Sequence, residues 1–327
     1  MLYSEESVYI NTVKIIPMAR LNPRIDIAFK KIFGVEENKD LLMSLINAII
    51  GPNDQVFDLT LMNPYNLQSF RTDKLSIMDI KAKGHDGKRF NIEIQITNEG
   101  EYDKRSLYYW AKMYAEQIRK GDSYGTLSKA IGIHILNFDC IRDDRYHHKF
   151  QIQDVDTNER HFDHFEMHTL ELSKFSSKND QLTDLVKRIR TSLDVWMAFL
   201  SRNELLIKGH LPPELDTAHV NKAIDVLDVL NLSDEEREAY EGREKFYWIE
   251  ANALVHQHAL GVEKGMEIGR EEGEAIGLEK GEAIATRKMV IEMLKENETD
   301  AKIMKYAKIS TEELNEIKAA YQNNDHQ

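Results

Sequence analysis

Cysteine is nearly missing: Cys140 stands alone in 327 residues. That excludes an intramolecular disulfide and any zinc site built from several cysteines, and it makes a reducing cytoplasm the expected compartment. Long apolar runs are missing too. None approaches the roughly 18 residues that a bilayer-spanning helix needs, so no membrane partner is expected. The opening MLYSEESVYINTVK carries acids and lacks the basic-then-apolar order of a secretory signal. No glycine-rich phosphate loop follows a strand pattern, which removes the commonest nucleotide-binding reading.

A strong basic excess is also absent. Net charge is -13, with 21 Lys+Arg against 20 Asp+Glu in residues 1–150 and 22 against 36 in the rest. The acidity therefore sits in the second half, and a polyanion meets no bulk repulsion from the first. What is present is ordinary for a folded protein: 42% hydrophobic and 30% charged residues support a sizeable core.

The informative stretch is IMDIKAKGHDGKRFNIEIQIT, residues 77–97. Apolar residues alternate on both sides of GHDGK, the pattern of a β-hairpin. Met78, Ile80 and Ala82 share one face, and Phe90, Ile92, Ile94 and Ile96 share one face of the returning strand. Both apolar sets must point the same way, because a one-residue slip would expose one of them. A three-residue loop His85-Asp86-Gly87 satisfies that parity, with Gly87 in the left-handed conformation such loops require. It pairs Ala82 with Phe90, Ile80 with Ile92 and Asp79 with Glu93. Two carboxylates then oppose each other on the non-core face, where like charges are destabilising. A divalent cation would compensate, since Mg²⁺ uses one or two carboxylates together with substrate phosphate. The competing reading is a solvated polar face.

The surrounding pattern places this hairpin in a mixed sheet. Residues 25–33 and 41–49 read as amphipathic helices, QVFDLTLMN as a strand, 102–121 as a long helix ending at Gly121, and KAIGIHILNF as a buried strand. Segments 147–155 and 163–172 read as two more strands. The order is α-α-β-β-β-α-β-β-β. From about residue 180 the chain reads as helical. One apolar stripe runs from Leu182 through Ile189 to Leu200, Pro212-Pro213 breaks the chain, a helix covers 223–232, and Ser233-Asp234-Glu235-Glu236 caps the next. Glycines at 261, 265, 269, 273, 277 and 281 recur every fourth residue. Each costs about 1 kcal/mol in a helix, so the repeat reads either as a close-packed helix pair or as a frayed linker. Two short helices joined at Lys308-Ile309-Ser310 close the chain.

An acid on one strand followed by Glu-x-Gln on the next resembles the PD-(D/E)xK nuclease superfamily, and more closely the recombination-promoting nucleases and transposases within it. Four stretches carry the resemblance in order: DIAFKKIFG, Asp79, EIQ at 93–95, and RSLYYWAKMYAEQIRKGDSY. The glycine repeat and helical tail fit the same family. The resemblance implies an α/β fold, a PD-(D/E)xK nuclease-like core of mixed sheet flanked by helices, followed by an all-helical C-terminal region. The expected divisions are an N-terminal extension (1–20), the nuclease-like domain (21–175), a helical region (176–257), the glycine repeat (258–285) and a helical tail (286–327).

By the same resemblance the chain is an Mg²⁺- or Mn²⁺-dependent DNA endonuclease associated with recombination or transposition. The alternative is a weak or inactive nuclease fold that binds DNA or assembles complexes. Asp79 and Glu93 would hold the metal. Gln95 stands where the superfamily usually has lysine, so it brings hydrogen bonds without charge, and Lys81 could supply the charge. Asp26 resembles the first-helix acid, and otherwise reads as an acid favoured by the helix dipole. Arg105 and Gln117 are the candidate substrate contacts. DNA is the expected partner, with a homodimer through the C-terminal helices. Tyr108, Tyr109, Trp110 and Tyr114 read as core aromatics. His147, His148, His161, His164 and His168 match no zinc spacing and read as surface residues.

Overall fold

The structure is a computed structural model that describes residues 21–65, 79–98, 100–228 and 232–324. Met78, the expected N-terminal extension and residues 229–231 of the expected 223–232 helix lie outside them. The chain divides into two compact units, 1–251 and 252–327.

In the first unit, helices α1 (Asp26–Phe33) and α2 (Lys39–Ile49) precede strands β1 (Leu59–Leu61), β2 (Asp79–Gly84) and β3 (Arg89–Gln95). Helix α3 (Tyr102–Ala115) leads to β4 (Ala130–Leu136), β5 (His147–Phe150) and β6 (Phe165–Glu171). The order read from the sequence is the order found. The strands form a six-stranded sheet, β1-β2-β3-β4-β6-β5, parallel at β3–β4 and β4–β6 and antiparallel elsewhere.

The hairpin register is the one that parity demands. Ala82 pairs with Phe90, Ile80 with Ile92 and Asp79 with Glu93. The Gly84 N–H donates to Lys88 O at 2.9 Å and the Gly87 N–H to Gly84 O at 3.0 Å, and Gly87 has φ +89°. Ile80, Ala82, Phe90, Ile92 and Ile94 join Ile131, Ile133 and Ile135 in a core shared with the apolar faces of α1 and α2.

Helices α4 (Leu172–Phe175), α5 (Leu182–Arg188), α6 (Ser192–Arg202) and α7 (Ala218–Val226) follow, and Trp196, Phe199 and Val220 belong to the same core. The stripe expected to run unbroken from Leu182 to Leu200 is split. The Thr191 hydroxyl accepts from Asp194 N at 3.3 Å while the Asp194 carboxylate accepts from Thr191 N at 2.7 Å. That reciprocal cap starts a new helix and outweighs continuity of the apolar spacing.

Other bounds are tighter than expected. α3 stops at Ala115 because the Gln117 amide clips the backbone of Ser128. The strand expected over 147–155 ends at Phe150. The helix expected over 223–232 starts earlier, where the Thr217 hydroxyl caps Val220 N at 3.2 Å.

Helix α8 (Asp234–Lys295) opens on Ser233, whose hydroxyl accepts from Glu236 N at 3.2 Å. The glycine repeat is helical within it. In the second unit, Val290 packs with Ile303, Ala307 and Leu314 of α9 (Asp300–Ala307) and α10 (Thr311–Asn324). No helix among the described residues is long and apolar enough to cross a membrane.

Candidate active site

The sheet face opposite the apolar core is not open to solvent over β3. Helix α3 lies across it: the Trp110 indole N–H donates to Ala130 O at 2.8 Å and stacks edge-on against Phe165. Asn91, Glu93 and Gln95 are therefore buried on a second, polar interior. The expectation of a non-core face holds, but the face is roofed. Tyr108, expected in the core, is exposed on the far side of α3.

Glu93 lies at the centre of this interior. Its Oε1 accepts from Gln95 Nε2 at 2.9 Å and from Arg105 Nη2 at 3.3 Å. No hydrogen bond reaches Oε2 among the described residues; it faces His134 Nδ1 at 3.6 Å, too long for a hydrogen bond. Burial pushes the Glu93 carboxyl up, but His134, Gln95 and Arg105 outweigh it and hold the group below the usual carboxylate range. Asp79, paired across the ladder, goes the other way. Burial raises it and Lys81 and Lys30 pull it back, yet the Glu93 charge adds to the rise and the group ends above its ordinary value. Two facing carboxyl groups thus divide into one firmly ionised and one that holds its proton longer.

Positive charge reaches Asp79 from two sides. Lys81 shares its strand face, is partly exposed and lies 3.8 Å from Glu116. Lys30 comes from α1, one turn after Asp26. It is buried, and Asp79 and Asp26 both counter the fall that burial imposes on its amine. Asp26 is itself buried. Its Oδ1 accepts from Ile27 N at 2.9 Å and its Oδ2 lies 3.2 Å from Arg243 Nε of α8. Burial raises the Asp26 carboxyl more than Arg243 lowers it. Asp26 joins the Lys30–Asp79 cluster and is not a solvated helix-start acid. Sequence reading missed Lys30; the available signal was its place one turn beyond Asp26 in DIAFKKIFG.

Gln117 stands apart. Its amide donates to Ser128 O and accepts from Ser128 N, both at 3.0 Å, which leaves it a loop clip. The histidines expected at the surface are partly interior. His148 and His168 are buried, and His168 bridges Glu166 at 2.9 Å and His147 at 2.8 Å. Burial pushes His147 down to about 4. Residues 121–125, GDSYG, spell a serine-hydrolase elbow. Here they form an exposed turn between a helix and a strand, the reverse of the required order, and the Ser123 hydroxyl accepts from Gly125 N at 3.2 Å.

The site's donor set fits a hard divalent cation. It offers carboxylates paired across β2 and β3, one of them with an oxygen that receives no hydrogen bond from the described residues. No three His, Cys, Asp or Glu side chains among the described residues are placed to hold a metal ion.

Residues 23–257 match the family model of the PD-(D/E)XK nuclease family transposases. The chain belongs to that family. The match covers both strands of the hairpin, α3 and the start of α8, and it accounts for the mixed sheet with flanking helices. Searches of curated proteins and of solved structures return no match.

Proposed function

We propose that this PD-(D/E)XK family chain is a divalent-metal-dependent DNA endonuclease that hydrolyses phosphodiester bonds during recombination or transposition. The observation that carries the reading is the Asp79–Glu93 pair, held opposite in register on a roofed polar face. An isolated pair of this kind is destabilising, and a cation resolves it. When bound, Mg²⁺ or Mn²⁺ supplies charge stabilisation at the scissile phosphate and lowers the pKa of a bound water.

The chain's own residues do the rest. Gln95 and Arg105 fix the Glu93 carboxylate through Oε1, which leaves Oε2 as the donor oxygen. Arg105, one-third exposed, is also positioned to meet a phosphate. Lys30 and Lys81 put charge beside Asp79 and offset the uncharged Gln95 in the usual lysine position. Asp26 adds a counter-charge for Lys30.

A second reading has its own support: a nuclease fold that binds DNA or assembles complexes without cutting. Gln95 carries no charge, and its amide is already donated to Glu93. Supercoiled plasmid separates the two. The nuclease reading expects nicked or linear product with Mg²⁺ and none with a chelator or in Glu93→Gln. Retarded plasmid without any cutting under Mg²⁺ or Mn²⁺ favours the binding module.

Homodimerisation through the C-terminal helices belongs to the same proposal. A Cβ added at any of the six repeat glycines meets nothing within 4 Å. Val262, Met266, Ile276 and Leu278 of the same stretch are exposed. Close backbone packing against a second copy would gain dispersion contacts, and two copies suit an enzyme that must cut two strands. Sedimentation of the intact chain against one ending at Tyr247 tests it. The proposal expects a dimer and a monomer, and equal states for the two refute it.

A further inference from the structure

Arg24, two residues before α1, is only partly exposed, yet no carboxylate among the described residues forms an ion pair with it. Neutral groups hold its guanidinium instead. Nε donates to Asn22 Oδ1 and Nη1 to Asn137 Oδ1, both at 3.1 Å. Asn22 is itself fixed: its Oδ1 also accepts from Arg24 N at 3.1 Å, and its N–H donates to the hydroxyl of buried Tyr240 at 2.8 Å. Nη2 finds no acceptor among the described residues and is not sealed from solvent.

A desolvated charge is costly unless it is paired. Burial lowers the pKa of Arg24, and Glu204 restores it only in part. Glu204 is already committed, since it is ion-paired with Arg202 Nε. Arg24 is thus a positive charge clamped in a fixed orientation, with one donor nitrogen left for an anion. Arginine suits phosphate in that role, because its rigid fork matches phosphate oxygens.

The clamp also puts that charge near the candidate site. The Asn137 N–H donates to Gln95 O at 2.9 Å, so the Arg24–Asn137 bond lies at the carboxyl ends of parallel β3 and β4. Asp79 opens β2 at the same end of the sheet, opposite Glu93. Ligands of open α/β sheets bind in the crevice outside the carboxyl ends of the strands. We propose that Arg24 binds a backbone phosphate of DNA beside the Asp79–Glu93 pair, a contact that positions the strand without reading its sequence. The inference rests on DNA as the partner, whether or not the chain cuts it.

The test is binding of a labelled DNA duplex to the full-length protein, read by fluorescence anisotropy without divalent ions over a range of salt concentrations. Each phosphate contact adds about 0.9 to the steepness of log K against log salt. Arg24→Gln should lower that steepness by about 0.9 and the affinity by about tenfold, equally for duplexes of unrelated sequence. Asn137→Asp keeps the side-chain shape and neutralises Arg24 in place. It should tighten the clamp yet lower the steepness by the same amount, whereas a purely structural Arg24 predicts unaltered DNA binding in this variant. Asn137→Asp decides the question if Arg24→Gln fails to fold. A steepness that matches wild type in either folded variant overturns the phosphate contact and leaves DNA as the partner. A wild type that binds no duplex even at low salt overturns both.

Discussion

Asp79→Asn is expected to raise thermal stability at neutral pH while abolishing metal-dependent cleavage. The substitution keeps side-chain shape and removes one of two facing charges. Asp79 is raised above its ordinary value in the folded chain, first by burial and then, against the pull of Lys81 and Lys30, by Glu93. A carboxyl raised on folding binds more protons folded than unfolded, so wild-type stability falls as pH rises through that window. Asparagine does not pay this cost. A directly opposed like-charge pair is worth roughly 0.2–1 kcal/mol, which in a unit of this size corresponds to a gain of about 0.4–4 °C. The gain should be full above the raised Asp79 value and vanish below about pH 4, where the wild-type carboxyl is protonated in both states. Differential scanning calorimetry at pH 7.5 and pH 3.5 reads it. Plasmid cleavage should fall at least about 100-fold, the scale of losing one charge-stabilising group. A variant that melts lower at pH 7.5, or that keeps the same gain at pH 3.5, refutes the reasoning.

Arg105→Ala should move the acidic limb of the cleavage pH profile upward, because Arg105 helps hold the Glu93 carboxyl down; an unmoved limb means that Arg105 does not act through Glu93. Gly87→Ala should destabilise the chain by about 1–2 kcal/mol in urea denaturation. Gly87 has φ +89° and an added Cβ would meet Ser128 Oγ at 2.6 Å, so an unchanged midpoint would show that the loop shifts without cost. Thr191→Ala should cost about 1 kcal/mol by loss of the cap that starts α6.

The hairpin was legible because period two and parity leave little freedom: apolar Ile80 and Ile92 fix where Asp79 and Glu93 must point, and Gly87 is the residue that the loop demands. The roof over that face was not legible. RSLYYWAKMY signals a helix, but no local pattern says that it crosses β3 and β4, so Glu93 and Gln95 read as solvated when they are buried. His134 was overlooked inside an apolar strand for the same reason. A lone imidazole in a segment buried on both faces was the available signal, since such a group needs a partner. Lys30 shows the limit of spacing arguments from the other side. Its turn-by-turn relation to Asp26 is visible in sequence, whereas its approach to Asp79 depends on how α1 packs on the sheet.

The central claim is that the opposed carboxylates of β2 and β3 are where a divalent ion sits. Fe²⁺ with ascorbate and peroxide maps this directly, because radicals formed at the bound ion cut the nearby polypeptide. The account predicts backbone breaks close to Asp79 and Glu93, suppressed by excess Mn²⁺ and absent when Asp79→Asn and Glu93→Gln are combined. Breaks elsewhere in the chain, or breaks near the pair that persist in the combined variant, would contradict it.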